Sequence, residues 1–441
     1  MSATLTPEAA AAAAKQPAWM RFIASKTRTR TLVFASVLFF LLAFTRQVTD
    51  NSNDLTSSGT VGTTLRVTIP IMLAGLAALW SERVGIVNIG IEGMMILGTW
   101  FGGYGAWKYG PWVGLLLGIL GGAAGGLIHA LAVVKFNVNH IISGVAMNLF
   151  AFGAMRYLSE IVYAQDTAGG KAGGGISKSP KQQGPIPRFN MPFLGGGKIF
   201  GWRSPDLLGW FERRHWFLVG DAAGILRGLM VGVSWASVLA LLLVPVTGWV
   251  LWRSRFGLRV RSSGEAPAAA ESLGVKVSPL RYAALAVSGG LAGFGGAFLS
   301  IVSANYYQQG QTQSKGYIGI ATTIFGNWRP SGVLGGATLF GFAEALNLVG
   351  KKSLPNLFLF GTLVCGLVFL LSLARRRMLP AINAIAAGAV LLIAFLTVNE
   401  VPEPLTKALP YVTTLIVLAV ASQRLRPPAH AGLPYRSGEN H

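Results

Sequence analysis

Three groups of residues could do chemistry in an otherwise apolar chain. In Gly85-Ile86-Val87-Asn88-Ile89-Gly90-Ile91-Glu92-Gly93-Met94-Met95, an asparagine, a glutamate and three glycines interrupt a stretch whose hydropathy belongs in a membrane. A carboxylate there is costly unless it is paired or wet, and the glycines permit an unwound backbone whose free polar groups must face a cavity or another helix. Asn88 and Glu92 are therefore candidates for lining a solute pathway or for holding a broken helix beside one. Asn148 and the cluster Asn305-Tyr306-Tyr307-Gln308-Gln309 could hydrogen-bond an uncharged polar solute, with aromatic rings as a stacking face. The third group is Arg259 to Val275, where Pro267, a run of alanines and Gly274 describe a short helix with Glu265 near its positive end. Too short and polar to cross a membrane, it is either a docking element or a plain amphipathic connector.

The elements that must position these residues are set by composition. Of 441 residues, 52% are hydrophobic, 12% are charged and 57 are glycine, against about a quarter charged in soluble domains. The sequence predicts an all-α polytopic membrane protein with about 10–12 transmembrane helices, broken or re-entrant helices and an inverted repeat. Lysine plus arginine (37) exceeds aspartate plus glutamate (16), giving a net charge of +21. That excess fits loops on the cytoplasmic side of a bilayer, and no basic soluble face points to nucleic acid. The single cysteine, Cys365, rules out an intrachain disulfide or a thiolate metal cluster.

Five parts follow along the chain: a basic cytoplasmic tail over 1–30, a first transmembrane half over 31–163, a long extracytoplasmic loop over 164–230, a second transmembrane half over 231–422 with the short cytoplasmic helix at 262–276, and a cytoplasmic tail over 423–441. Both termini lie inside. Residues 316–348 form a hairpin of two short helices turning at Gly326-Asn327-Trp328-Arg329-Pro330, and 406–422 is a last span. The outer loop begins with a glycine-rich stretch, 169–175, and carries Trp202, Trp210, Phe211 and Trp216 as an interfacial segment. Gly118 to Met155 and Leu285 to Trp328 share a pattern of glycine-rich span, polar connection and glycine-bearing helix; the expected topology runs them in opposite directions. Their small residues at three- and four-residue spacing read as packing faces.

No phosphate loop, no H-E-x-x-H and no nucleophile with a base on the same side of the membrane occurs, so the chain itself is not expected to hydrolyse ATP. Ser81 through Met95 closely resembles a signature of the permease subunits of nucleoside-type ABC importers. Asn139 to Leu149, Gly264 through Ala297, and the ending Leu409 to Leu415 with Arg426-Pro427-Pro428 and Gly432-Leu433-Pro434-Tyr435 are also similar to that family. The wider superfamily holds permeases for ribose-like sugars and branched-chain amino acids.

The resemblance implies a subunit of a bacterial inner membrane forming half a pore by alternating access. It would work with a second related permease, a cytoplasmic ABC ATPase that binds ATP and magnesium, and an extracytoplasmic substrate-binding lipoprotein, with no cofactor or metal of its own. Gly264, Glu265, Ala266, Pro267, Ala270, Glu271 and Gly274 would then form the element coupled to the ATPase. Asn88, Glu92, Asn148, Asn305, Tyr306 and Gln308 would be pathway residues. The alternatives are a sugar or branched-chain amino acid permease of the same class, or an ion-coupled secondary transporter working alone.

Overall fold

The computed structural model describes residues 26–49, 55–163, 178–199, 202–349, 355–374, 376, 378–398 and 425–435. Most of the basic tail, the 169–175 glycine stretch and the 406–422 span lie outside the described residues. Fifteen α-helices occur among those described: α1 (Lys26–Val48), α2 (Ser58–Arg83), α3 (Ile91–Tyr109), α4 (Pro111–Ala130), α5 (His140–Tyr163), α6 (Leu207–Arg213), α7 (Val219–Met230), α8 (Trp235–Arg253), α9 (Arg255–Glu265), α10 (Pro267–Ser272), α11 (Val277–Phe298), α12 (Lys315–Phe325), α13 (Pro330–Val349), α14 (Asn356–Ala374) and α15 (Met378–Thr397). Seven of them are long and apolar enough to cross a membrane. Strands are limited to two-residue pairs, of which β1 (Arg188–Phe189) lies antiparallel to Val233–Ser234. The expected 164–230 loop is thus partly built, with α6 and α7 inside it.

Two compact units divide the described residues. The smaller draws on Met1–Ser57, Trp210–Gly224 and Gly350–Val401; α14 and α15 form its helical hairpin, and a buried pair joins Arg46 Nε to Asp221 Oδ1 at 2.6 Å. Thr56 donates to the same carboxylate at 2.6 Å, so that charge is both paired and hydrogen-bonded, as burial demands. The larger unit holds α2 to α5, α8 to α13 and residues 425–435.

Glycine sets the centre of the larger unit. A side chain on Gly118 would meet Ala297 Cβ at 2.5 Å across the helix pair, one on Gly122 would strike the Gly289 carbonyl at 2.3 Å, and one on Gly126 would strike the Leu285 carbonyl at 2.2 Å. Rising numbers on α4 therefore face falling numbers on α11, so the two helices run antiparallel at backbone contact, the approach that small residues permit in lipid. Each then ends in a π-helical turn, Leu131–Lys135 after α4 and Leu299–Ser303 after α11. The two helices thus share a helix-plus-π-turn ending and point in opposite directions. A Gly122→Val variant is expected to lose about 1–3 kcal/mol or more by overpacking, read as a lower unfolding temperature in detergent. Gly335→Ala, where nothing lies within 4 Å, is expected to leave it unchanged.

Candidate functional site

The chain leaves helical geometry between α2 and α3. Gly85 takes φ +96°, a conformation that side chains rarely adopt, and Ile86 N–H returns to the Ser81 carbonyl at 2.9 Å, closing α2. Residues 84–90 then pass through the core in extended or turn form, with Asn88 1% exposed and its amide donating to Ser288 at 3.2 Å. Asn148 of α5 satisfies the broken backbone from the side. Its amide nitrogen donates to the Ile89 carbonyl at 3.1 Å and its oxygen accepts Gly93 N–H at 2.7 Å, so one side chain serves an orphan carbonyl of the break and an orphan N–H of the first turn of α3. The same nitrogen reaches the Tyr317 hydroxyl at 2.8 Å. Tyr317 is 43% exposed, so this hydroxyl lies where the polar interior meets an open surface.

Glu92 is 7% exposed and sits in the first turn of α3. Its carboxylate accepts from Thr312 Oγ1 at 2.5 Å, Ser314 N–H at 3.1 Å and Gly316 N–H at 2.7 Å. Those groups belong to the entry of α12, so the positive ends of two helices, α3 and α12, converge on one carboxylate. Nothing local caps α12: Ser314 stands at φ 61° and its side chain makes no cap bond. Beside it, Lys315 Nζ is paired with Glu344 Oε1 at 3.0 Å, a bond that ties α12 to α13.

The other end of α12 turns through Gly326 to Arg329, with Asn327 and Trp328 at positive φ, before α13 returns. Arg83 Nη2 donates to the Trp328 carbonyl at 2.7 Å, and Trp328 Nε1 donates to the Glu82 carboxylate. Arg83 Nη1 also lies 3.9 Å from Glu265 Oε1, and its guanidinium stands over the Trp252 ring at 5.2 Å. A side chain on Gly264 would meet the Arg83 carbonyl at 2.3 Å. The hairpin turn and the α9–α10 element therefore meet on the last turn of α2.

That element is two helices rather than the one expected over 262–276. Pro267 removes an N–H and steers Ala266 out of helical geometry, to φ −150° and ψ 81°. Pro267 and Ala270 face inward, whereas Ala268, Ala269, Ser272, Leu273 and Gly274 are exposed, Leu273 to 84%. Gly274, at φ +81°, makes the turn into α11.

Residues 425–435 strap this element down. His430 N–H reaches the Gly264 carbonyl at 2.9 Å, Gly432 N–H the Gly85 carbonyl at 3.1 Å, and Ala429 N–H the Glu265 carboxylate at 3.1 Å. The Tyr435 hydroxyl donates to the Glu271 carboxylate while its ring lies under the buried Arg281 guanidinium, 5.1 Å away. Burial and the Glu271 bond push the Tyr435 phenol up to about 12, which keeps it a donor. Burial and the Arg281 charge hold His430 below its ordinary value.

Asn305, Tyr306 and Gln308 stand apart from the Glu92–Asn148 group. Asn305 Oδ1 accepts from Gln182 Nε2 at 3.1 Å, Gln308 is bridged to Lys178, and Lys178 Nζ stands 5.5 Å from the Tyr306 ring centre. These three hold residues 178–183 against the loop before α12. Tyr317, Thr312 and Arg83 were missed from sequence. Their roles arise from partners 169, 220 and 245 residues away, a distance no local pattern encodes.

A family model for the branched-chain amino acid transport system / permease component matches residues 60–418. The chain belongs to this permease family. It is 31% identical over 311 residues to the guanosine ABC transporter permease protein NupQ of Bacillus subtilis, covering 68% of this chain and 86% of that one. It is 31% identical over 304 residues to the nucleoside ABC transporter permease protein NupC of Lactococcus lactis, covering 66% and 84%. It is 32% identical over 294 residues, covering 66% and 78%, to TsgC13 of Haloferax volcanii, whose name assigns it provisionally to glucose ABC transport. No solved structure matches the chain.

Glu92→Leu is expected to strand three buried donors, each worth about 1–3 kcal/mol, and to lower the unfolding temperature well beyond Glu92→Gln, which keeps one acceptor oxygen. Because His430 binds its proton less readily in the folded strap than at its free value of 6.5, the strap is fully held above that pH and loosens as pH falls below it. Faster amide exchange at His430 and Gly432 below about pH 6.5 checks this, and His430→Gln is expected to abolish the change.

Proposed function

We propose that this chain is the membrane-spanning subunit of an ATP-binding cassette importer for nucleosides, forming half of the translocation pathway. Its likeness to the guanosine and nucleoside permeases over about two thirds of its length carries the reading. In this account a second related permease completes the pathway, a cytoplasmic ATPase supplies the driving closure, and an extracytoplasmic binding protein delivers the solute. The chain lies in a bacterial inner membrane with both termini cytoplasmic, and the face bearing Leu273 meets the ATPase.

The geometry supplies a route from that face to the interior. Force on α10 reaches Arg83 through Gly264 and Glu265, and the Arg83–Trp328 bond passes it to the hairpin turn. From there α12, 11 residues and about 16 Å long, ends on the Glu92 carboxylate with Tyr317 on its first turn. Motion of α12 as a rigid rod would move Tyr317 and its bond to Asn148, changing the open surface at that point. Alternating access needs two such states with different affinities for the solute.

Glucose is the second reading, favoured by the 32% identity to TsgC13. Uptake of labelled guanosine, uridine, glucose, ribose and leucine by cells with the gene deleted and restored separates them. Loss confined to guanosine and uridine is expected; loss confined to glucose would replace the substrate. Ala269→Pro and Glu265→Arg are expected to cut nucleoside uptake at least tenfold with unchanged membrane abundance, and normal uptake in both would remove the α10 face from coupling. Arg83→Ala is expected to do the same through the broken tie to Trp328.

A further inference from the structure

At the Ser58 end of α2, whose far end carries Arg83 25 residues and about 38 Å along the helix, two arginines line a recess of about 150 Å³. Arg66 comes from α2 and Arg188 from β1, and neither has a carboxylate partner among the described residues. Asp206 is already paired, at 2.9 Å, with Arg227, whose guanidinium also donates to Ser58 of the recess at 3.0 Å. A guanidinium cannot shed its proton, and two like charges sharing one recess repel each other, so an uncompensated pair calls for an anion. The rim is small or hydroxylic, with Gly62, Ser234 and Ser237 among its residues, and the apolar side is Leu65 and Val302.

We propose that this recess binds a phosphate group between the two guanidiniums. Two forked donors lining one recess match a tetrahedral oxyanion, whose oxygens can engage both forks at once. The surroundings place the group at the level of lipid headgroups. Arg188 pairs in register with Ser234, the residue that caps α8. The next residue, Trp235, is 48% exposed and packs against Phe189 with ring centres 5.2 Å apart, an aromatic at a span end of the kind that marks the interface. Leu65 and Val302 give the acyl side of a phospholipid an apolar wall. The site rests on the chain spanning a bilayer and is independent of the transported solute.

The test uses the full chain in discs of phosphatidylcholine, with phosphatidylglycerol or inorganic phosphate as the probe. Native mass spectrometry of the wild type is expected to retain one phosphatidylglycerol per chain, and Arg66→Gln and Arg188→Gln are each expected to weaken that retention at least tenfold, with Arg188→Lys recovering part of it. Both arginines are exposed, and competition by sulfate on the wild type reads the same site without any variant. Calorimetric binding of inorganic phosphate with the same variant dependence, and no preference for phosphatidylglycerol, would keep the site and assign it to a soluble phosphate. Equal retention of both lipids in wild type and double variant, with no phosphate binding, would overturn the proposal. So would variants that change only the capture of an acidic binding protein, because the arginines would then be a docking contact.

Discussion

A single carboxylate holds the interior of the larger unit together. Glu92 accepts three hydrogen bonds from the entry of α12 while standing in the first turn of α3, so the 11-residue α12 and the 19-residue α3 begin on the same charge. Backbone that leaves helical form inside a membrane must find partners within the protein. Here the partners are Glu92 for α12 and Asn148 for the 84–90 break. Remove the carboxylate and α12 loses the acceptor for its Ser314 and Gly316 N–H groups, which the Ser314 side chain does not replace. The acid is thus held by hydrogen bonds and helix dipoles, while Lys315 on the same turn of α12 is engaged by Glu344.

The same constraint explains why the far end of α12 is so heavily tied. A short helix anchored at one end by a carboxylate can move as a rod only if its other end is gripped, and the grip is the last turn of α2. Glu82 and Arg83 bond the Trp328 turn, Arg83 approaches Glu265, and residues 425–435 close over Gly264, Gly85 and Glu271. The close glycine contact of α4 with α11 supplies the rigid frame against which this motion would occur.

What the sequence disclosed follows physical range. The interruption at Gly85 to Gly93 could be seen because a carboxylate and three glycines contradict the surrounding hydropathy, and the turn at Gly326 to Pro330 because glycine and proline bracket it. The packing role of Gly122 and Gly289 came from spacing alone. The identity of Glu92's partners did not, since Thr312 and Gly316 lie 220 and 224 residues away. Asn88, which shares the motif, is placed in the packed core against Ser288. The short helix that Pro267, the alanines and Gly274 describe is α10, and the expected range 262–276 also takes in the end of α9, from which Pro267 separates it by acting on Ala266. The role of the chain's end as a strap was hidden for the same reason as Glu92's partners: backbone bonds such as His430 to Gly264 leave no signature in side-chain pattern.

The most direct test is transport in vesicles containing the chain together with the second permease, ATPase and binding protein proposed for it. Labelled guanosine is expected to accumulate only with ATP, and Glu92→Leu in this chain is expected to abolish accumulation while the assembled complex still forms. Accumulation without ATP, or full accumulation with the Glu92→Leu chain, would contradict that expectation.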